Sequence, residues 1–231
     1  MELHGARILV AGATGALGGQ LTTALLAAGA TVVPAGRDPE RLVEVGEECG
    51  QTGLHLDVVD ADACRQVVDA ATETLGGLDA LVVAVGVASF GRALEADDAV
   101  VEELFAVDVL GPMSLVRAAA PHLGEGGTVV VLSAILADVP TAGMAEYSAA
   151  KSALSTWLGL VGKEERRKLH VVDVRPPHLD TDLSDHPLAG TAPKLPAPYP
   201  AARVVEVVLE AVRDGKKEVV WDADAREVVA R

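Results

Sequence analysis

The chain has 231 residues, half of them hydrophobic but only 3% aromatic, so its core must be built from Ala, Val and Leu. Its 34 acidic against 19 basic residues give a formal charge of −15, which opposes non-specific binding to nucleic acid or to an anionic membrane surface. Cys49 and Cys64 form neither a C-x-x-C pair nor a disulfide framework, the amino terminus has no basic n-region, and the most apolar stretch is Ala80 to Ala88. The expectation is a soluble cytoplasmic protein with no membrane partner, no nucleic-acid partner and no signal peptide.

The elements alternate along the chain. An apolar run, Arg7-Ile8-Leu9-Val10-Ala11, precedes a glycine-rich turn and a helical pattern through Leu17, Leu21, Leu25 and Leu26. Ala30-Thr31-Val32-Val33 reads as the second strand, and Asp38-Pro39-Glu40 opens the second helix. Further short apolar runs fall at 53–56, 80–84, 128–132, 170–174 and 218–221, with helical stretches at about 60–76, 97–123, 142–163 and 201–214. The runs are continuously apolar rather than alternating, as parallel strands buried on both faces should be. Strands interleaved with helices predict an α/β fold: a doubly wound, mostly parallel sheet of about seven strands with helices on both faces, in one domain spanning 1–231. Residues 176–200 break the rhythm with seven prolines and read as a long functional loop.

The turn Ala11-Gly12-Ala13-Thr14-Gly15-Ala16-Leu17-Gly18 lies between the first strand and the first helix. A dinucleotide pyrophosphate needs such a place, against the unpaired N–H groups of a helix N-terminus and with no side chains holding it away. Gly12, Thr14, Gly15, Ala16, Leu17 and Gly18 are therefore the candidate phosphate-binding residues. The second strand ends Pro34-Ala35-Gly36-Arg37, without a carboxylate for a ribose hydroxyl. Gly36 leaves space, Arg37 can pair with a 2′-phosphate, and Asp38 reads as the N-cap of the next helix, so NADP(H) is favoured over NAD(H).

Tyr147 and Lys151 are one helical turn apart, on one face. A phenol has a pKa near 10 and is a poor base, but a neighbouring ammonium favours the phenolate. Such a tyrosine can give a proton to a carbonyl oxygen or take one from an alcohol.

With these motifs in place, the chain resembles the short-chain dehydrogenase/reductase family over nearly its whole length. The matching stretches are the glycine turn, Leu56-Asp57-Val58, Val107 to Pro112, Tyr147 to Lys151, and Arg175 to Thr181. The resemblance implies Asp57 and Val58 beside the adenine, Lys151 on the nicotinamide ribose, and Thr181 at the carboxamide. It adds Ala84, Gly86 and Pro176 to the cofactor site, makes the proline-rich segment a substrate lid, and implies a homodimer or homotetramer. Trp157 and Leu160, on the Tyr147 helix, suit such an interface, although a core role explains Trp157 nearly as well.

Four departures stand out. Gly15 is displaced from the commoner glycine pattern, Val83-Ala84-Val85-Gly86 replaces Asn-Asn-Ala-Gly, and Asp108 takes the place of a helix asparagine. The serine expected thirteen residues before Tyr147 is Ala134, with Ser133 one residue earlier. A one-residue shift in an extended strand reverses the side chain, so Ser133 serves as the third catalytic residue only if the backbone turns there. Of the six histidines only His178 falls near the expected substrate, and no metal site is expected. The leading reading is an NADP(H)-dependent carbonyl reductase or alcohol dehydrogenase for a small or medium hydrophobic molecule. The alternatives are a non-catalytic NADP(H)-binding redox sensor or partner subunit, and an epimerase or dehydratase, for which the chain lacks a carboxy-terminal substrate domain.

Overall fold

Eight strands form one sheet in a computed structural model that describes residues 1–231. They are β1 (Arg7–Ala11), β2 (Thr31–Gly36), β3 (Leu54–His55), β4 (Leu78–Val83), β5 (Leu123–Leu132), β6 (Leu169–Arg175), β7 (Glu218–Asp222) and β8 (Glu227–Ala230). Their order is β3-β2-β1-β4-β5-β6-β7-β8, with every pairing parallel except β7 with β8. The order reverses between β1 and β4, and in doubly wound sheets the crevice at that reversal, beyond the strands' carboxyl ends, takes the ligand.

Seven helices cover the sheet: α1 (Ala16–Ala27), α2 (Pro39–Cys49), α3 (Ala61–Leu75), α4 (Asp98–Phe105), α5 (Gly111–Ala119), α6 (Ala145–Glu164) and α7 (Ala201–Asp214). Strand residues alternate between two cores because successive side chains point to opposite faces. Ile8, Val10, Val130 and Val172 pack with Leu21 and Leu25 of α1 and Val204 and Val208 of α7. Leu9, Val129, Val131 and Val171 meet Val67 and Val68 of α3, Leu115 of α5, and Leu154 and Leu158 of α6. None of the helices is long and apolar enough to cross a membrane.

The structure adds detail at two places. The strand at 218–221 is followed by β8, which pairs back on it from Val219↔Ala230 to Asp222↔Glu227. The turn between them has no Asn-Gly signal; Asp222 holds it, Oδ1 accepting from the N–H groups of Asp224 and Ala225 at 3.0 Å each. The helix expected over 97–123 is instead α4, a wider π-helical turn at Ala106–Leu110, and α5, after which β5 begins at Leu123. A one-residue insertion in the helical hydrogen-bond ladder leaves the apolar pattern almost intact and so escapes it.

Candidate active site

The carboxyl ends of β1, β4, β5 and β6 open on one cavity of about 960 Å³. Its lining runs from Gly15, Ala16, Leu17 and Arg37, past Ala84 and Gly86, to Tyr147, Lys151, Pro176 and Thr181. Thus residues far apart in sequence, each singled out there, border one space. Gly12, Thr14 and Gly18 shape the turn behind it, whereas Asp57 and Val58 lie outside the cavity lining, after β3.

The turn between β1 and α1 suits a phosphate group. Gly12 has φ +89°, and a Cβ there would lie 2.6 Å from the carbonyl oxygen of Ala84, so the two strand ends approach too closely for any side chain. Gly15 is the N-cap of α1 without a side-chain hydrogen bond, and the helix has no acidic residue in its first turn. The amino end of α1 is therefore open to an anion.

At the end of β2 the expected space beside Gly36 is filled: a Cβ there would meet Thr14 Oγ1 at 2.6 Å. Asp38 caps α2 as the sequence suggested, its Oδ1 accepting from Glu40 N at 3.0 Å and Arg41 N at 3.1 Å. Arg37 and Arg41 are exposed at the cavity edge and make no ion pair, although the surrounding chain is strongly acidic. Arg41 was missed in the sequence; its signal was the four-residue spacing from Arg37.

Tyr147 and Lys151 lie on the inner face of α6, with Lys151 Nζ 5.6 Å from the centre of the Tyr147 ring. Tyr147 packs among Ala88, Phe90, Leu104, Ala134, Leu136 and Met144. Burial pushes its phenol well above the usual value, and the Asp108 carboxylate adds to the rise. Asp108 itself has no exposed surface. One of its oxygens accepts from Val87 N at 2.9 Å, and the other lies 3.3 Å from Lys151 Nζ without hydrogen-bond geometry. Burial raises its pKa and Lys151 opposes the rise.

Ser133 also borders the cavity. The backbone stays extended at Ala134, with φ −166°, so neighbouring side chains diverge. Ser133 donates its hydroxyl to Asp173 at 2.5 Å, while the Ala134 methyl packs into the Tyr147 cluster. Ala134 therefore contributes a methyl group, and no hydroxyl, to the cluster that surrounds the phenol.

The proline-rich segment roofs the cavity. Leu188 N donates to Ala88 O at 2.8 Å and Phe90 N to Ala189 O at 3.0 Å, while Leu188, Ala192 and Leu195 rest on the Tyr147 cluster. His178 borders the same space, with Nδ1 3.0 Å from Pro196 O. That carbonyl can only accept, so Nδ1 carries the hydrogen. On the outer face of α6, Leu160 is exposed, whereas Trp157 rests partly buried on the core.

Comparison with known proteins gives a consistent result. The family model described as short chain dehydrogenase matches residues 6–189. An uncharacterised oxidoreductase of Methylorubrum extorquens is 33% identical over 190 residues, covering 78% of this chain and 76% of its own. A short chain dehydrogenase from Burkholderia cenocepacia solved in complex with NADP is 31% identical, with a TM-score of 0.78 and 92% of each chain covered. A Burkholderia phymatum short chain dehydrogenase/reductase solved with NAD has a TM-score of 0.85 at 20% identity, over 94% of this chain and 89% of its own. At that identity the second structure bears on the fold alone.

Proposed function

Because the chain belongs to the short-chain dehydrogenase/reductase family, we propose that it is an NADP(H)-dependent oxidoreductase. It interconverts the carbonyl and secondary alcohol of a small or medium hydrophobic molecule. The observation that carries this reading is the single cavity in which Tyr147 and Lys151 share a wall with the open end of α1 and with Arg37. Phe90, Leu136, Val139, Met144, Leu183 and Leu195 make the remaining wall largely apolar, which suits a hydrophobic substrate.

The glycine turn and α1 fit a pyrophosphate, Arg37 and Arg41 a 2′-phosphate, Lys151 a ribose, and Pro176 and Thr181 the nicotinamide end. Asp57 and Val58 are assigned to the adenine, beside rather than within the main cavity. A nicotinamide held there would supply the hydride for carbonyl reduction and accept it in alcohol oxidation. In reduction Tyr147 gives its hydroxyl proton to the carbonyl oxygen as the C–O double bond becomes single; in oxidation the phenolate takes the proton from the alcohol. Lys151 orients the cofactor and stabilises negative charge on the phenol. Ser133 is assigned to the β5–β6 scaffold instead of to catalysis.

Replacing Tyr147 with Phe removes the proton donor and keeps the ring. Turnover of a carbonyl panel with NADPH should fall at least about 10²-fold, while NADPH binding by fluorescence titration stays within about twofold of the parent, well under the tenfold that 1.4 kcal/mol represents. Retained turnover would overturn the mechanism. A working assembly as a homodimer or homotetramer in the cytoplasm is part of the same proposal, with the exposed Leu160 on α6 in support.

A second reading, a non-catalytic NADP(H)-binding sensor or partner subunit, is favoured by one observation: position 134 brings a methyl, not a hydroxyl, to the cluster around Tyr147. Cofactor-dependent assembly without turnover of any carbonyl in the panel would select it.

A further inference from the structure

We propose that Asp108 is a positioning residue that governs proton flow at Tyr147: buried against Lys151, its carboxylate offsets the ammonium and favours the proton-donating form of the phenol. The inference rests on the oxidoreductase reading for its meaning in turnover, and on geometry for its existence.

The arrangement has three members and little else that is charged. Lys151 Nζ stands 3.3 Å from Asp108 Oδ2 and 5.6 Å from the centre of the Tyr147 ring. The side chains of Lys151 and Asp108 are 3% and 0% exposed, so their charges are poorly screened by solvent. Gly86 allows this closeness, since a Cβ there would lie 3.3 Å from Nζ and 3.4 Å from Asp108 Oδ1. The π-helical turn at Ala106–Leu110 carries Asp108 inward, and Val87 N fixes its Oδ1 at 2.9 Å.

The groups packed against Tyr147 from other elements are apolar. The segment after β4 offers Ala88 and Phe90, the end of β5 Ala134 and Leu136, and the lid Leu188, Ala192 and Leu195. Titratable lid residues border the same cavity at His178, Asp182, His186, Lys194 and Tyr199. Among the buried neighbours of Tyr147, only Lys151 and Asp108 are ionisable.

Two opposite charges 3.3 Å apart offset each other in part at the phenol, whose ring centre lies 5.6 Å from Lys151 Nζ. An ammonium alone would draw Tyr147 toward phenolate; with a carboxylate 3.3 Å from it, that pull is weakened and a dry, apolar pocket holds the proton on. The burial and the Asp108 contribution to the Tyr147 shift act in this same direction. In turnover, alcohol oxidation then requires alkaline pH, whereas carbonyl reduction persists through neutral pH. The alkaline decline of reduction and the onset of oxidation report the same proton.

The chain contains only two tyrosines, which makes a direct test possible. In a Tyr199→Phe background, phenolate absorbance near 295 nm reports Tyr147 alone, without any substrate. Asp108→Asn in that background removes the negative charge and keeps the shape. Its phenolate midpoint should fall by roughly 1 to 3 pH units relative to the background protein, with circular dichroism marking the folded range. Asp108→Ser gives the same comparison should the asparagine variant not fold. An unchanged or higher midpoint in a folded variant overturns the proposal. Where carbonyl turnover exists, both limbs of the pH–rate profile should move down together by the same amount; movement of one limb only also overturns it. Absence of turnover in the unmutated protein counts against the oxidoreductase reading and leaves the absorbance test intact.

Discussion

Ser133 and Asp173 are joined by a hydrogen bond of 2.5 Å that ties the carboxyl end of β5 to β6. Asp173 also accepts from Ser155 of α6 at 2.6 Å and from Arg175 at 2.5 Å. Arg175 reaches onward to Asp138 and Glu218, each at 2.8 Å. One buried carboxylate thereby fixes two strand ends and α6, and holds in place the residue just before Pro176, where the proline-rich segment begins. Every donor in the group has an acceptor, which lets charge remain inside without a large penalty.

Ser133→Ala should accordingly act on stability and leave catalysis nearly untouched. A hydrogen bond to a charged group contributes about 1.5–3 kcal/mol, and Asp173 keeps two other donors, so a loss of about 1–2 kcal/mol is expected. For a chain of this size that is a fall in Tm of about 2–8 °C. Thermal melts and steady-state kinetics check it together. A drop of about 10² in kcat at unchanged Tm would return Ser133 to the catalytic group.

Ala134→Ser brings a hydroxyl into the cluster around Tyr147, at the cavity wall. One well-aimed donor to a developing oxyanion is worth on the order of 10²–10³ in rate, so kcat for carbonyl reduction should rise by at least about tenfold. Ala134 is 8% exposed, so the new hydroxyl must find a partner in the pocket. The comparison is kcat for one carbonyl with both proteins. A folded variant with no gain would mean that the substrate oxygen does not approach position 134.

The difference between what was legible and what was not has a physical pattern. The glycine turn, the N-cap at Asp38 and the Tyr147–Lys151 pair depend on local geometry, which short stretches of sequence encode. Which way the Ser133 side chain points depends on strand direction, and the φ of −166° at Ala134 is a backbone detail that no residue type there announces. The charged group around Arg175 unites residues from 133 to 218, and no local pattern announces such a meeting. Arg41 was hidden for a different reason: an exposed arginine on a helix ordinarily means only solvated surface. The strand β8 was hidden because its turn relies on Asp222 and on Arg226 at φ +54° rather than on glycine.

Arg37→Ala and Arg41→Ala test the cofactor assignment. Each should weaken NADPH binding about tenfold, or about 1.4 kcal/mol, and leave NADH binding within about twofold of the parent. Both side chains are exposed, so the NADPH preference should shrink as salt is raised. Fluorescence titrations with the two cofactors at low and high salt make the comparison. Equal losses for NADPH and NADH would place the arginines on a phosphate shared by both and remove the case for NADP(H).

Gly190 offers a test of the lid. It has φ +76°, and a Cβ there would lie 2.0 Å from the carbonyl oxygen of Phe90. Ala at 190 must therefore push the lid away from the strand-end segment or give up the left-handed backbone; either change strains the neighbouring bond from Phe90 N to Ala189 O. Because Leu188, Ala192 and Leu195 roof the Tyr147 cluster, an opened lid admits water beside the phenol. Gly190→Ala should raise KM for a hydrophobic carbonyl by about tenfold, the loss of roughly 1.4 kcal/mol of apolar contact, and lower Tm little, since the main cores lie elsewhere. NADPH affinity should stay close to that of the parent, because the glycine turn and Arg37 are untouched. If KM holds while Tm falls sharply, Gly190 serves the fold, and the segment is scaffold instead of lid.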